Sequence, residues 1–472
     1  MSDRMVSHPY IPNSQTQVQK EMMLDVGIDD IEELFSEIPE DLRYRCSMDL
    51  PPPVLSEEGL SRHMEGILSQ NRTTKDYLSF LGAGCYQHYV PAICDEVACR
   101  SEFLTAYAGE PYEDHGRFQA LFEYQSMMAE LLDMDVVNVP TYDWCQAAAT
   151  AVRMAGRITQ RPVVLVAGNI NPQRLAAIKN YADPVMKVEK VQYDPKTGCV
   201  DVPSLVARLT PSVAGVYLEN PNYFGLLETT AQDIASETHK NGSLLLIGVD
   251  PITLGVLAPP SRYGADIVVG DIQTLGINMS YGGGVAGFIA SCDKEEYVAE
   301  YPSRLFGIAK TDVEGEWGFG DVLYDRTSFA KREKGKEFVG TAAALWGITA
   351  GVYLALMGPL GMRTVGETIM RNSAYAAKKI ADIKGIKVNG FEGHFFKEFA
   401  INFDRTGLTV AEINRELESR GILGGKDISE EFKEMGQTAL YCVTEIHTKD
   451  DILCLCEALE EIVCGLKGGR TR

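Results

Sequence analysis

The chain has 472 residues, of which 45% are apolar and 23% charged, and its formal net charge is −22. This composition predicts one large globular domain with a smaller one, and the negative charge argues against anionic partners such as nucleic acid or acidic membranes. No window approaches about 18 uninterrupted apolar residues and the N-terminus has no apolar signal segment, so a soluble, cytoplasmic protein is expected.

The first predicted elements form an N-terminal helical arm, assigned to residues 1–60. Gln17–Val26 and Asp29–Phe35 have the spacing of two short, acidic amphipathic helices, and the prolines at Pro51–Pro53 interrupt the chain after them. An arm of this kind is expected to pack on a neighbouring domain or subunit rather than to carry chemistry.

Residues 61–345 are assigned to a large domain in which strands and helices alternate. The predicted strands are short runs rich in β-branched residues: Val163–Ala167, Val185–Tyr193, Gly215–Glu219, Leu244–Val249, Ile267–Val269 and Val285–Ala290. Helical patterns separate several of them: Gln173–Asn180, Val202–Arg208 and Ala231–His239. This alternation predicts an α/β fold whose mostly parallel sheet is covered on both faces.

The remainder, residues 346–472, is assigned to a small C-terminal α+β domain. A long apolar helix over Thr341–Leu356, ending at Gly358-Pro359, is the predicted bridge into it. The chain has 11 cysteines without C-x-x-C pairs and seven histidines without a metal-ligand spacing, so reduced thiols and no protein-bound metal are expected.

The segment Ser243–Ser291 has the layout of a pyridoxal-phosphate site that lacks its lysine. One apolar run ends at Asp250, a second ends at Gly270, and the turn that follows contains Gln273. In pyridoxal enzymes of the aspartate-aminotransferase-like class this turn usually carries the Schiff-base lysine, and a carboxamide cannot form an imine. No catalytic residue is therefore expected on this chain alone.

Each vestigial cofactor candidate has two interpretations. Asp250 stands where this class keeps the carboxylate that pairs with the pyridinium nitrogen, but an aspartate before Pro251 also caps a helical turn. Gln273 is either a polar contact to a partner or ligand, or a relic amide that bonds backbone. Gly282 and Gly283, with the glycine after them, either cradle a phosphate from a neighbouring subunit or form a tight turn.

Several long segments, in order along the chain, resemble one family. They are YIPNSQTQVQKEMMLDVGIDDIEELFSEIP (Tyr10–Pro39), LSFLGAGCYQHYVPA (Leu78–Ala92), RSEFLTAY (Arg100–Tyr107), QALFEYQSMMAELLDMDVVN (Gln119–Asn138), YLENPNYFGLLE (Tyr217–Glu228), GADIVVGDIQTLG (Gly264–Gly276) and VYLALMGPLGM (Val352–Met362). Together they are similar to the alpha subunit, or subunit 1, of the two-chain glycine decarboxylase, the P-protein of the glycine cleavage system.

The resemblance implies a fold-type-I pyridoxal-phosphate transferase architecture with a mostly parallel seven-stranded sheet. It implies an α2β2 assembly whose beta subunit holds pyridoxal phosphate on its lysine, while the alpha chain has glutamine at that turn, as at Gln273. The implied reaction decarboxylates glycine and leaves an aminomethyl group on the lipoyl arm of H-protein. His88, Tyr89, Tyr107, Asn222 and Thr341 are expected at the interface or at the mouth of the active site.

The chain departs from the family pattern at three positions of interest. Trp144 stands where the family has a small residue near a helix N-terminus, Asn171 replaces a histidine, and Phe338 replaces an amide. Two explanations remain open: the alpha chain's own pocket has drifted, or the interface has been retuned for another amino-acid substrate.

Two other functions compete with the subunit interpretation. One is a catalytically silent paralogue that serves as a scaffold or regulator of a beta-like subunit. The other is an independent pyridoxal enzyme that forms its imine with a displaced lysine. The candidates for this lysine are Lys310, Lys331, Lys334 and Lys336. Three of them lie in a run of alternating charge that is typical of a solvated surface.

Overall fold

The fold is taken from a computed structural model of the chain. It describes residues 10–11, 13–46, 48–104, 115–283, 285–322, 326–327, 331, 333–339 and 343–469. The described chain divides into two compact units, residues 1–72 and residues 73–472. The proposed boundary between a large and a small domain within the second unit stays a prediction.

The first unit contains two α-helices, α1 (Thr16–Val26) and α2 (Glu57–Leu68), and two 3₁₀ helices, Ile31–Phe35 and Glu40–Leu42. Side-chain caps begin two of these helices: Asp30 caps the first 3₁₀ helix in a capping box, and Ser56 accepts from the backbone N of Gly59 at the start of α2. None of the residues in these four helices is buried. The unit therefore has little hydrophobic core of its own.

The strands of the second unit are short, as their sequence pattern predicts. They are β1 (Leu78–Ser79), β2 (Val136–Val137), β3 (Val163–Ala167), β4 (Lys187–Val191), β5 (Val213–Glu219), β6 (Leu244–Gly248), β7 (Ile267–Asp271), β8 (Gly287–Ser291), β9 (Phe306–Lys310), β10 (Trp317–Asp321), β11 (Lys387–Val388), β12 (Glu398–Asn402), β13 (Ile422–Leu423), β14 (Lys426–Asp427) and β15 (Thr438–Cys442).

Some helices of this unit cover the main sheet, and others pack in the C-terminal part of the unit. They are α3 (Ala92–Ala98), α4 (Ser101–Leu104), α5 (His115–Leu132), α6 (Trp144–Thr159), α7 (Pro172–Ala182), α8 (Val202–Arg208), α9 (Ala231–Lys240), α10 (Glu295–Val298), α11 (Ala344–Ala381), α12 (Val410–Glu418) and α13 (Lys449–Gly469).

The main sheet has seven strands in the order β2-β8-β7-β6-β5-β3-β4. The pairs among β3 to β7 are parallel, whereas β8 runs antiparallel between β7 and β2. Every residue of β5 and β7 is buried, because helices cover both faces of a sheet of this kind. The predicted α/β class with a mostly parallel seven-stranded sheet is confirmed.

A second, four-stranded antiparallel sheet, β11-β12-β15-β14, forms the C-terminal part of the unit. Its core is made by apolar side chains of β12 and β15 together with those of α12 and α13. Lys397, directly before β12, and Glu398, its first residue, lie beside the carboxyl ends of the main sheet, as the contacts described below show.

The predicted helix that ends at Gly358-Pro359 corresponds to the first part of α11, which begins at Ala344. Gly358 has non-helical dihedral angles (φ 57°, ψ −176°), so the first helical part ends there, as predicted. Pro359 begins a second helical part that continues to Ala381, at a position where a missing N–H costs no hydrogen bond. By length and composition this helix could cross a membrane, but Ile348, Tyr353 and Ile369 are buried in the protein core.

Candidate functional site

The candidate site lies at the carboxyl ends of three adjacent parallel strands, where α/β proteins of this type bind ligands. Glu219 ends β5, Asp250 follows β6 and Asp271 ends β7, and all three carboxylates are buried. Burial first, and then the negative charge of Asp250, raise the pKa of Asp271 to about 7. The strand ends thus concentrate acidic groups in a region shielded from water.

Asp250 is held by groups of this chain. Its Oδ1 accepts from the backbone N of Ile252 at 3.2 Å, which caps the 3₁₀ turn Pro251–Gly255, and from the hydroxyl of Thr274 at 2.8 Å. Its Oδ2 lies 2.5 Å from Nζ of Lys397. The carboxylate that could have met a pyridinium nitrogen is therefore paired with an internal ammonium group.

Lys397 is the functional-site residue that sequence reasoning missed. Its side chain is only 4% exposed, and its Nζ also lies 3.3 Å from the centre of the Tyr86 ring and 3.3 Å from Nε2 of His88. The four lysines considered as displaced imine formers, Lys310, Lys331, Lys334 and Lys336, are exposed. The sequence contains one signal: Lys397 alternates with Phe399 and Ile401, which indicates a buried lysine that needs a partner.

Trp144 fills the space beside the end of β6. It is the first residue of α6, which Asp143 caps by accepting from the backbone N of Gln146 at 2.7 Å. The indole Nε1 donates to the hydroxyl of Tyr217 at 3.1 Å. A Cβ added to Gly248 would approach the indole to 2.8 Å, so the ring and this strand are in close contact.

A second buried ion pair borders the indole. The guanidinium carbon of Arg174 lies 3.8 Å from the centre of the Trp144 ring, and Nη1 of Arg174 lies 2.6 Å from Oε1 of Glu219. The hydroxyl of Tyr217 also donates to this carboxylate at 3.1 Å. Aromatic stacking and charge pairing therefore hold the Trp144 indole in place beside the end of β6.

The remaining cavity among these groups has a volume of about 30 Å³. Since one water needs roughly 10–15 Å³ by this measure, the cavity has room for two or three waters. Pyridoxal phosphate does not fit: a cavity of this size cannot take a pyridine ring, Asp250 is paired with Lys397, and position 273 offers no amine. The residues of this chain therefore do not form a cofactor site.

Gln273 is 1% exposed and its amide is fully engaged with backbone. Its Oε1 accepts from the backbone N of Tyr86 at 3.0 Å, and its Nε2 donates to the carbonyl oxygens of Tyr86 at 2.9 Å and Ile277 at 3.0 Å. These hydrogen bonds match the interpretation in which the Gln273 amide bonds backbone.

His88 and Tyr89 are adjacent in sequence but differ in exposure. The His88 ring is buried and bridges Lys397 and Glu445, with Nδ1 at 2.8 Å from Oε2 of Glu445. Burial would raise the pKa of Glu445, but the charge and hydrogen bond of His88, with the Tyr89 backbone N–H, lower it to about 2. The side chain of Tyr89 is exposed.

The other sequence-predicted residues are dispersed around this region. Asn222 is buried at the edge of the cavity, where its Oδ1 accepts from the backbone N of Phe224 at 3.0 Å and closes a turn. Gly282 and Gly283 lie in an exposed turn after the site. Tyr107 and Thr341 lie outside the described residues.

The turn at Gly282 has an unusual backbone. Ser280, Tyr281 and Gly282 have φ values of 44°, 56° and 85°, a left-handed run that is costly for the two residues with side chains. Tyr281 is 97% exposed. The turn leads into β8, so it lies at the same edge of the sheet as Asp250 and Gln273.

The family departures at Asn171 and Phe338 have different structural outcomes. Asn171 caps α7 by accepting from the backbone N of Gln173 at 2.9 Å, and its Nδ2 donates to the carbonyl of Ala83 at 3.2 Å. Phe338 is exposed, next to Glu337, whose Oε1 lies 3.1 Å from Nε of Arg153. Asn171 thus bonds Ala83, three residues before the Tyr86 that Gln273 bonds, whereas the side chain of Phe338 is exposed.

The fold and the strand-end site define the class of protein, the fold-type-I pyridoxal-phosphate enzymes. Two solved proteins of low identity share the architecture: a sphingosine-1-phosphate lyase from Burkholderia pseudomallei (TM-score 0.67, 14% identity, 93% of this chain and 96% of that one) and a NifS-like protein from Rickettsia africae (TM-score 0.62, 13% identity, 82% and 99%). Within this class, the chain belongs to the glycine cleavage system P-protein family, whose model matches residues 8–459.

Relatives cover the chain almost completely. A probable glycine dehydrogenase (decarboxylating) subunit 1 from Staphylothermus marinus is 39% identical over 98% of this chain and 100% of its own length, and one from Thermococcus kodakarensis is 37% identical over 96% and 98%. A glycine decarboxylase (P-protein) solved in an inhibitor-bound form has a TM-score of 0.82 and 33% identity over 97% of this chain and 100% of its own. The family resemblance predicted from the sequence is confirmed.

Proposed function

We propose that this chain is the alpha subunit of a glycine decarboxylase and that it is active only with a second subunit. The observation that carries the proposal is the filled pocket: Lys397 pairs with Asp250, Trp144 occupies the adjoining space, and Gln273 replaces the lysine. An enzyme subunit of this family that cannot hold the cofactor needs a partner that does. The relatives named subunit 1 support this assignment.

The second subunit is proposed to hold pyridoxal phosphate on its own lysine in an α2β2 assembly. Bound there, the protonated pyridine ring would take up the electrons released when glycine loses its carboxylate. The aminomethyl group would pass to the lipoyl arm of H-protein. This chain would contribute binding surface near that site, and the whole assembly would work in the cytoplasm.

The N-terminal unit is proposed to dock on the second subunit. Its apolar side chains include the exposed Leu24, Val26, Leu34 and Leu42. Residues 1–72 carry 14 Asp and Glu but only 6 Lys and Arg, and the remaining residues are also net acidic, because the whole chain has a charge of −22. A second copy of this chain would repel such an arm, so an apolar surface rimmed by basic residues on a different subunit is the better complement.

The test is glycine–bicarbonate exchange, measured with labelled bicarbonate and lipoylated H-protein. We expect neither this chain nor its second subunit to exchange label alone and the mixture to do so. Assembly without exchange would favour the scaffold alternative, and exchange with another amino acid would favour a retuned substrate.

A companion measurement addresses the cofactor directly. The isolated chain is incubated with pyridoxal phosphate, reduced with borohydride and analysed by mass spectrometry, with the second subunit as positive control. We expect labelled lysine only in the second subunit. A specific adduct on this chain would refute the division of labour.

A further inference from the structure

The segment Ala83–Tyr89 has no regular secondary structure, yet distant residues hold it at nearly every position. Oε1 of Glu398 accepts from the backbone N of Ala83 at 2.6 Å, and Oε2 of the same carboxylate accepts from the hydroxyl of Tyr86 at 2.9 Å. The hydroxyl of Thr444 donates to the carbonyl of Gln87 at 2.7 Å. The segment is therefore fixed by tertiary contacts and not by its own local structure.

Gln273 supplies the central contact. One amide both accepts from the backbone N of Tyr86 and donates to its carbonyl, so it satisfies the two polar groups of a single residue. A buried peptide group left unpaired destabilises the fold. A lysine could donate to the carbonyl but could not accept from the N–H. The residue type that removes imine chemistry is thus the one that this contact requires.

The segment ends in an exposed aromatic side chain. Tyr89 is 66% exposed, although Tyr86 and the His88 ring are buried and the Tyr89 backbone N donates to Oε1 of Glu445 at 2.8 Å. An exposed tyrosine on a fixed backbone loses little conformational entropy on binding, which is why tyrosines are enriched at interfaces. The backbone here is held rigid directly before the side chain that protrudes.

We propose that Gln273 is a positioning residue for subunit association: it fixes Ala83–Tyr89 so that Tyr89 fits the second subunit. The inference rests on the proposed function, because it takes that subunit as the partner. In this proposal the Gln273 amide, at the turn that carries lysine in pyridoxal enzymes of this class, has a structural role in subunit association and is not a relic. The hydrogen bonds of the Gln273 side chain go to Tyr86 and Ile277 and that of the Tyr89 backbone goes to Glu445, so we expect any energetic coupling between Gln273 and Tyr89 to pass through the segment.

A double-mutant cycle tests the coupling. Gln273→Met keeps the length of the side chain and removes its donor and acceptor, Tyr89→Ala removes the aromatic ring, and the third variant carries both. We expect each single variant to weaken binding of the second subunit by about tenfold or more, and the double variant to bind no more weakly than Tyr89→Ala.

Two further variants separate positioning from general damage. Gln437→Met is the matched control, since that amide also accepts from a backbone N, that of Val410, at 3.0 Å; its binding should be unchanged. Hydrogen exchange should increase at the amides of residues 85–89 only in Gln273→Met. If Gln273→Met does not fold, Thr444→Val loosens the same segment from the other side and should show the same coupling to Tyr89.

The possible outcomes are distinct. Additive losses in the double variant, or unchanged binding by Gln273→Met, would overturn the positioning role while leaving the proposed function intact. A wild-type pair that neither assembles nor exchanges glycine would overturn both proposals.

Discussion

Replacing Lys397 by methionine should destabilise the chain more than any change of a surface ion pair. The variant leaves the buried carboxylate of Asp250 without its counter-ion. At an effective dielectric constant of about 20, unit charges 2.5 Å apart attract by about 6–7 kcal/mol. Asp250 keeps its bonds from Ile252 and Thr274, so we expect a net loss of about 3–5 kcal/mol.

The assay is urea unfolding of the isolated chain followed by tryptophan fluorescence. Lys433→Met is the matched control, because Lys433 pairs with Glu430 at 3.8 Å on the surface and its loss should cost less than about 1 kcal/mol. The double variant Asp250→Asn, Lys397→Met removes both charges, and Asn keeps the acceptor oxygen; it should recover most of the stability.

The single variant tests whether Asp250 depends on Lys397, and the double variant tests whether the two groups act as a pair. A loss below about 1 kcal/mol in Lys397→Met would mean that Asp250 is not a buried charge that depends on this lysine. A double variant as unstable as the sum of its single variants would mean that the two groups do not act as a pair.

Three further changes are predicted. Burial and the charge of Asp250 raise the pKa of Asp271 in the folded state to about 7, so the folded state keeps a proton that the unfolded chain releases near pH 4. The free energy of unfolding of the wild type should therefore fall by about 4 kcal/mol as the pH rises from 4 to 8, whereas that of Asp271→Asn should lack this fall. Thermal unfolding of both proteins at the two pH values measures the difference. Trp144→Ala should cost about 3–5 kcal/mol, yet gel filtration with pyridoxal phosphate should leave no bound cofactor; retained cofactor absorbance would show that the indole alone blocks the pocket. Leu24→Glu should weaken association with the second subunit about tenfold in calorimetry and leave the melting temperature of the isolated chain unchanged, whereas a lowered melting temperature would indicate that the arm packs on its own chain.

The fold class could be predicted from the sequence because the signals for its strands and helices are local. Apolar runs such as Val163–Ala167 and Leu244–Val249 are short, are bounded by turn residues and alternate with helical patterns, and strands are found at both. The same locality explains what was predicted in α11. The Gly-Pro pair predicts a helix end, and Gly358 is non-helical, whereas the second helical part from Pro359 to Ala381 is not among the predicted elements.

The filled pocket could be predicted only in part, because its contacts join residues far apart in the chain. The absence of an amine at Gln273 is visible in the sequence, and so is the crowding by Trp144. Alternation along the strand places Lys397 on the same face as Phe399 and Ile401, which indicates burial but does not identify its partner. That Asp250 is the partner, and that Gln273 binds Tyr86, depends on tertiary structure.

The ion pair between Lys397 and Asp250 also has an evolutionary consequence. To bind the cofactor through an imine, the chain would need an amine at position 273, a free carboxylate at position 250 and a small residue at position 144. Lysine at 273 unpairs the Tyr86 amide, loss of Lys397 strands a buried charge, and loss of Trp144 leaves a cavity. Each of these changes made alone is therefore expected to lower stability without creating a cofactor site, so single substitutions should not make the chain independent of the proposed second subunit.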